Sequence, residues 1–545
     1  MRSFHALVSI LAGGALAATA AGCSRPADSR ALPKTVTEPV FGGTVSVMVE
    51  SPGTLDPRDV DDVYEAAIVN QIYDGLLEFD TNLNPVPAIA REWTISDGGR
   101  RFRFRLRDDV SFHNGRRVVA SDVVWSFERI FDPDREDPGL GGEFLRRIKG
   151  ADAYARGETS HIEGLEAVDD TTLVIRLAEP YGAFLSSLAM DQTKVVCREA
   201  FEAAGDDYDS CPVGTGPFRF DHVADHDDHP VIVLRRNVDY FRGAPWLAEV
   251  AFHVPARYTD DRAADALLDG TLTLAVVTGP REEAFENLET FRILRRPELS
   301  CGFLALNPSL APVDDARVRR AIAHAVDRRR FVALDPASRL DASGILPPGM
   351  FGHSPDRKAL RHDPDFARSL LAEAGHPGGE GLAPLRIVQV SRGDVGAEAD
   401  RILAENLAEI GIRVEYEYLD WSAFSDRIDA GTAPAFTLSW IADVPDPDSF
   451  LRSLFSSDGA YNLVGYHNAT VDSLLGVGSG MTSSPDRARL YQRAERIILN
   501  DAPIVPLYHL ANNFVVRSNV RGLTITPFGF GNLTFEKLWL DPVTS

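Results

Sequence analysis

The sequence predicts a mixed α/β protein of more than one domain, β-rich in its first half and alternating between strands and helices in its second. Three observations carry this expectation. The chain has 545 residues, more than one hydrophobic core normally serves. Arg101–Leu106 sets Phe102, Phe104 and Leu106 against Arg101, Arg103 and Arg105, a half-exposed strand of period two. From Phe291 onward strand and helix patterns take turns, as in α/β domains. A composition of 44% hydrophobic and 25% charged residues is ordinary for globular protein. The net charge of −24 argues against a phosphate-backbone partner, which needs a basic face, so no nucleic acid is expected.

The chain opens on a targeting pattern. Arg2 supplies a positive start, Ala6–Ala21 is uncharged and rich in Ala, Leu and Gly, and Ala20-Ala21-Gly22 leads into Cys23. That is a secretory signal over 1–22, too short and too weakly flanked for a membrane span. Small residues running directly into Cys resemble a bacterial lipobox, in which the Cys takes a diacylglycerol. Ala20 stands where such sequences usually carry Leu. Residues 23–40 then read as a lipid-anchored tether without periodicity, reaching about 20–25 Å as a coil.

Gly43–Val49 alternates as a strand, and Asp62–Leu77 has helical spacing through Tyr64, Ile68, Ile72 and Tyr73. His113-Asn114-Gly115 is a turn, and Ser121-Asp122 is expected to cap a helix burying Val123, Val124, Phe127 and Ile130. Thr172–Leu177 is another strand. Pro212–Phe218, with Gly214 and Gly216, is a tight loop; its G-x-G could cradle an anion, but close approach of two backbones is the stronger reading. Further on, Asp314 is expected to cap a helix with Val318, Ala321, Ile322, Ala325 and Val326 inward and Arg328–Arg330 at its C-terminus, where the dipole favours cations. Asp363-Pro364 and Ser484-Pro485 open two further helices.

Between these, Ala435–Ala442 is an apolar, β-favouring run that ends on Asp443, where Pro445 and Pro447 bar strand and helix alike. Ligands of open α/β sheets bind just beyond the carboxyl ends of strands. A lone carboxylate there, with Trp440 nearby and no basic residue from Pro434 to Leu451, suits a cation or an amine. On local grounds alone a plain turn hydrogen bond is the stronger reading of Asp443, because Asp is common in turns.

Cys197 and Cys211 close a 15-residue loop in an exported chain, and a disulfide worth on the order of 3 kcal/mol is expected. Cys301 sits in an apolar run and reads as an inert core thiol. Asp221–His229 packs three His and four Asp into nine residues around a hairpin tip. It could ligate zinc, yet polar residues at a tip need no further cause, and no metal site is expected.

Several motifs, in this order, resemble bacterial family 5 extracellular solute-binding proteins, the oligopeptide-, dipeptide- and nickel-binding components of ABC importers. They are Ile72-Tyr73-Asp74-Gly75-Leu76-Leu77, Phe112-His113-Asn114-Gly115, Pro212–Phe218, Asp315–Ala321, Pro347-Pro348-Gly349, Trp440–Asp448 and Asp501–Tyr508. The resemblance implies a periplasmic-binding-protein-like two-lobed fold (type II, cluster C). Lobe I would comprise 41–77, 185–292 and 503–545, lobe II 293–502, and a mostly β subdomain at 78–184 would be inserted in lobe I. Crossings near 292–300 and 500–506 would form the hinge. Asp443 matches the acid that holds the α-amino group of peptide ligands, and Trp440 and Trp421 fall where relatives place pocket aromatics. Some relatives carry a basic residue for the ligand carboxylate where this chain has Thr437.

The function implied is a non-catalytic, monomeric lipoprotein at the outer face of the cell membrane. It would capture a peptide or similar amine-bearing solute and hand it to a permease driven by cytoplasmic ATPases, with no cofactor. A metal-chelate receptor of the nickel type is the alternative. An exported hydrolase has little support, because no G-x-S-x-G or H-E-x-x-H occurs.

Overall fold

A computed structural model describes residues 38–542 except 136, 227–228, 359, 391–393 and 483. Residues 1–37, on which the expected signal segment, Cys23 and most of the expected tether fall, lie outside the described residues.

The first sheet has four strands. Thr44–Met48 runs parallel to Glu249–His253, which pairs antiparallel with His229–Arg236, and that strand pairs in turn with Phe218–His226. One face buries Val45, Val47, Leu234, Val250 and Phe252 against Ile68 and Ile72 of the helix Val63–Ile72. Gly214 and Gly216 sit on the end of that helix: a Cβ at either would fall 2.0 Å from the Ile72 carbonyl oxygen or 2.4 Å from that of Gln71. The glycines therefore serve backbone contact, and Gly216 N–H donates to Ile72 O at 2.8 Å.

A second unit is an antiparallel sheet ordered Ala90–Ser96, Arg101–Leu106, Thr172–Arg176, Leu165–Asp169. Its period-two strand turns Phe102, Phe104 and Leu106 onto a core shared with Phe127, Leu173 and Ile175. The helix packed there is Ala120–Glu128, starting two residues earlier than a Ser121 cap would place it. Asp122 instead sits in the first turn and accepts the Val119 N–H at 2.9 Å, so it closes the helix start from inside.

The third and largest sheet has eight strands. Ser300–Leu306 pairs antiparallel with Ala435–Ile441, which runs parallel to Leu385–Val390, with Val414–Leu419 at the edge. Both faces are buried: Leu304, Leu306 and Ile387 meet Val318 and Ile322 on one side, and Phe303, Val388 and Phe436 meet Tyr491 and Ile498 on the other. The strand Ile504–Arg517 belongs to two neighbourhoods. Residues 504–508 pair with Ser300–Leu306, and 511–517 pair with Phe291–Pro297. Leu274–Val276 pairs with it at 514–516. Phe291–Pro297 and Ser300–Leu306 thus travel alongside one unbroken partner from the neighbourhood of the first sheet into the middle of the third.

Three local expectations are corrected. The helix Ala316–Ala325 is capped by Asp315, which accepts the Arg317 N–H at 2.7 Å, and not by Asp314. Arg328–Arg330 do not close it; Asp327 caps a separate short helix Arg328–Val332. The buried Arg328 donates to the Pro506 carbonyl at 2.7 Å, and Arg330 reaches Glu405 at 2.6 Å, so side-chain partners outweigh the dipole. The Cys197–Cys211 disulfide is not formed. Cys197 is buried with its Sγ facing Asn114 Nδ2 at 3.4 Å, while the exposed Cys211 turns its Sγ to the Asp207 carbonyl. The helix Arg198–Ala204 and the turn Gly205–Ser210 fill the loop between them and point the sulfurs apart. Cys301 is buried in the large sheet, and burial pushes its thiol pKa up.

Thiol titration of the native protein is expected to count Cys211 and to miss Cys197 and Cys301 until denaturant is added. Electrophoretic mobility of the unfolded chain should be the same with and without reductant.

Candidate functional site

The strand Ala435–Ile441 stops because Pro445 and Pro447 cannot continue a ladder, and the chain then folds into a compact loop. Ser449 ties the loop's start to its end. Its Oγ accepts the Asp443 N–H at 3.1 Å, and its carbonyl accepts Trp440 Nε1–H at 2.8 Å. Asp446 caps the turn Pro447–Ser449 by accepting the Asp448 N–H at 3.0 Å.

Beneath the loop lies Arg487, on the first turns of the helix Pro485–Asp501 and fully buried. Its guanidinium grips Asp446 through two parallel bonds of 2.7 and 2.8 Å, donates from Nε to the Gly478 carbonyl at 2.8 Å and reaches Tyr491 Oη at 3.0 Å. Tyr491 Oη–H donates to Asp448 at 2.6 Å. Burial, and then the neighbouring Asp446, push the Asp448 carboxyl up to about 6. The two acids that follow Asp443 therefore face inward as supports of the loop, and Asp443 is left facing outward.

Asp443 is exposed, yet crowding by protein pushes its carboxyl up to about 6, with a smaller contribution from the negative charge of Glu143. Water reaches the group, so it is not sealed in the core. Glu143 belongs to the helix Gly139–Leu145 of the antiparallel unit, a different body from the strand that carries Asp443. Two contacts bring these bodies together. Val444 inserts into the apolar core of the antiparallel unit, and Gly182 N–H donates to the Ser479 carbonyl at 2.7 Å. A Cβ on Gly182 would fall 2.0 Å from the Met481 carbonyl oxygen, so the two backbones meet without a side chain between them.

Trp440 is 8% exposed, spends its indole N–H on the loop and lies 5.0 Å from the Tyr461 ring. It braces Asp443 and presents little surface of its own. Trp421 is half-buried at the start of the helix Trp421–Asp429, 5.7 Å from Phe424, and joins the same apolar cluster as Trp440. Thr437 donates to Gln389 Oε1 at 2.6 Å, so that position is neutral and internally bonded. Two small pockets, of about 40 and 30 Å³, hold at most a few waters, and neither is lined by Asp443. Glu143 has no distinguishing signal in the sequence; it becomes relevant only because the fold carries it across to Asp443.

The model of the bacterial extracellular solute-binding proteins, family 5 Middle, matches residues 84–462. The chain belongs to this family. As a family 5 solute-binding protein it has the two-lobed α/β fold of periplasmic binding proteins, serves an ABC importer and is not an enzyme. It is 30% identical to heme-binding protein A of Haemophilus influenzae over 84% of this chain and 85% of that one. It is 29% identical to the probable di/tripeptide-binding protein 5 of Pseudomonas aeruginosa over 91% and 96%. The solved structure of HbpA2 from Haemophilus parasuis superposes with a TM-score of 0.80 at 25% identity, covering 92% of this chain and all of that one.

Replacing Arg487 with Ala strands Asp446 as a buried, unpaired charge, and a loss of about 3–5 kcal/mol is expected in urea unfolding at neutral pH. The unpaired Asp446 would have its pKa raised in the folded state, so the deficit is expected to shrink as pH falls and the carboxyl takes up a proton.

Proposed function

We propose that this solute-binding protein captures a peptide or similar amine-bearing solute between its lobes, with Asp443 receiving the ligand's ammonium group. The observation that carries the reading is the outward carboxylate of Asp443, held by a rigid loop and crowded by protein, with the acidic Glu143 brought to it from the opposite body. Two acids near one another attract a cation, and closure that excludes water strengthens a carboxylate–ammonium pair. The relative from Pseudomonas aeruginosa, named for di- and tripeptides, supports the same ligand class. Trp421 and Trp440 would supply the apolar wall and its brace. With Thr437 neutral, a ligand whose C-terminal carboxylate must be neutralised there fits less well than a longer or differently ended one.

In this reading lobe I comprises 41–77, 185–292 and 503–545, carries the insertion 78–184 and closes on lobe II, 293–502. The paired strands Phe291–Leu306 and Ile504–Arg517 would act as the hinge, because they run continuously from the middle of the large sheet to its end. Cys23 would carry the lipid that holds a monomeric receptor beside its permease. A metal chelate is the second reading, favoured by the relative named for heme. Heme carries two carboxylates, and the acidic pair of Asp443 and Glu143 disfavours such an anion.

Calorimetric titration with free and N-acetylated peptides, and with a metal chelate, tests this. Free-amine peptides are expected to bind and acetylated ones to fail, and Asp443→Ala is expected to cost at least about thirtyfold in affinity. Chelate binding that ignores Asp443→Ala would overturn the amine reading. Because an α-amino group stays charged to about pH 7.7 while Asp443 takes up its proton near 6, affinity is expected to fall as pH drops through about 6. Asp443→Asn should flatten that profile. Expressed in a bacterial host, Cys23→Ser is expected to move the protein from the membrane to the soluble fraction.

A further inference from the structure

Far along the chain from the cleft loop, the fold assembles a cluster that the sequence shows only in part. His226 and His229 face each other across the hairpin Phe218–His226/His229–Arg236. Register places His253, on the neighbouring strand, opposite Val231, two residues along from His229. Cross-strand partners and residues two apart point to the same face of a sheet, so all three imidazoles emerge together. His253 lies 24 residues beyond His229 and is buried, 5% exposed.

The three ring centroids form a nearly equilateral triangle, 5.3 Å for His226–His229, 5.2 Å for His226–His253 and 5.3 Å for His229–His253. One nitrogen of each ring lies within 4.8 Å of the others, and His229 Nε2 is 3.0 Å from His253 Nδ1. An ion bound at about 2.0–2.1 Å by one nitrogen of each ring stands roughly 3.2 Å from each centroid, and tetrahedral angles then put the centroids about 5.2 Å apart. The triangle already has that size. Packing alone gives no reason for three imidazoles to converge edge to edge on one point, with a buried member among them.

We propose that His226, His229 and His253 form a metal site on lobe I for a divalent ion of the zinc class, with a fourth position open to water. Imidazole ligands suit zinc and its borderline neighbours, whereas calcium and magnesium take oxygen. The ion would replace the shared proton between His229 and His253 and clasp the hairpin end to the strand Glu249–His253. The site is independent of the solute cleft: it lies on the four-stranded sheet whereas Asp443 follows a strand of the eight-stranded one, and its ligand is the ion itself, not a transported chelate.

The test uses the untagged exported chain, stripped with chelator and titrated calorimetrically with zinc chloride. One zinc per chain is expected, with a rise in Tm on loading. Substituting cobalt should give the strong visible absorption of a four-coordinate ion. His253→Gln and His226→Asn are each expected to weaken binding at least tenfold and abolish the Tm rise, while His222→Asn, which alters the same hairpin outside the triangle, retains both. Should His253→Gln fail to fold, the exposed hairpin variant His226→Asn carries the comparison. Substoichiometric zinc in the unaltered protein, octahedral cobalt spectra, or His226→Asn binding as tightly as the unaltered chain would each overturn the site.

Discussion

The geometry of the cleft loop depends on one buried cation. Arg487 satisfies its charge with Asp446, its remaining donors with Gly478 and Tyr491, and through Tyr491 it also fixes Asp448. A guanidinium is suited to this because its planar fork meets a carboxylate with two parallel bonds and cannot be neutralised by losing a proton. The residues Asp443–Ser449 contain two prolines and three acids, a composition that would repel itself and remain open in water. Anchored on Arg487, the same acids become supports, and the one acid not drawn inward is held at a defined place at the end of its strand.

That place matters because of what surrounds it. Asp443 reaches outward from a strand of the eight-stranded sheet, and Glu143 comes from a separate core built on Phe102, Phe104 and Phe127. Val444 and the side-chain-free meeting of Gly182 with Ser479 and Met481 seat one body on the other. The electrostatics of the site is thus a property of how two cores are docked rather than of either alone.

Much of this was legible in the sequence where local rules decide. The strand Ala435–Ile441, its stop at the prolines and the period-two strand Arg101–Leu106 follow from apolar patterning and backbone sterics, and the ordered motifs indicate the family. Local rules fail where neighbours compete or where partners are distant. Asp314 and Asp315 are equally good caps on paper, and only the path of the preceding turn selects Asp315. Arg328–Arg330 satisfy the dipole rule for one helix, yet Asp327 begins another. Two cysteines 14 positions apart look joinable until an intervening helix sends them to different environments. Glu143 and His253 carry no local signal at all, since their partners arrive from other strands and other bodies.

The strand Ile504–Arg517 has a consequence for how the molecule holds together. Its first residues complete the ladder of Ser300–Leu306, and its last complete the ladders of Leu274–Val276 and Phe291–Pro297. Fourteen residues near the C-terminus are thereby owed to both halves at once. A truncation short of this segment removes hydrogen-bond partners from each. A single strand that closes ladders in both neighbourhoods couples their stabilities, so that opening one loosens the other.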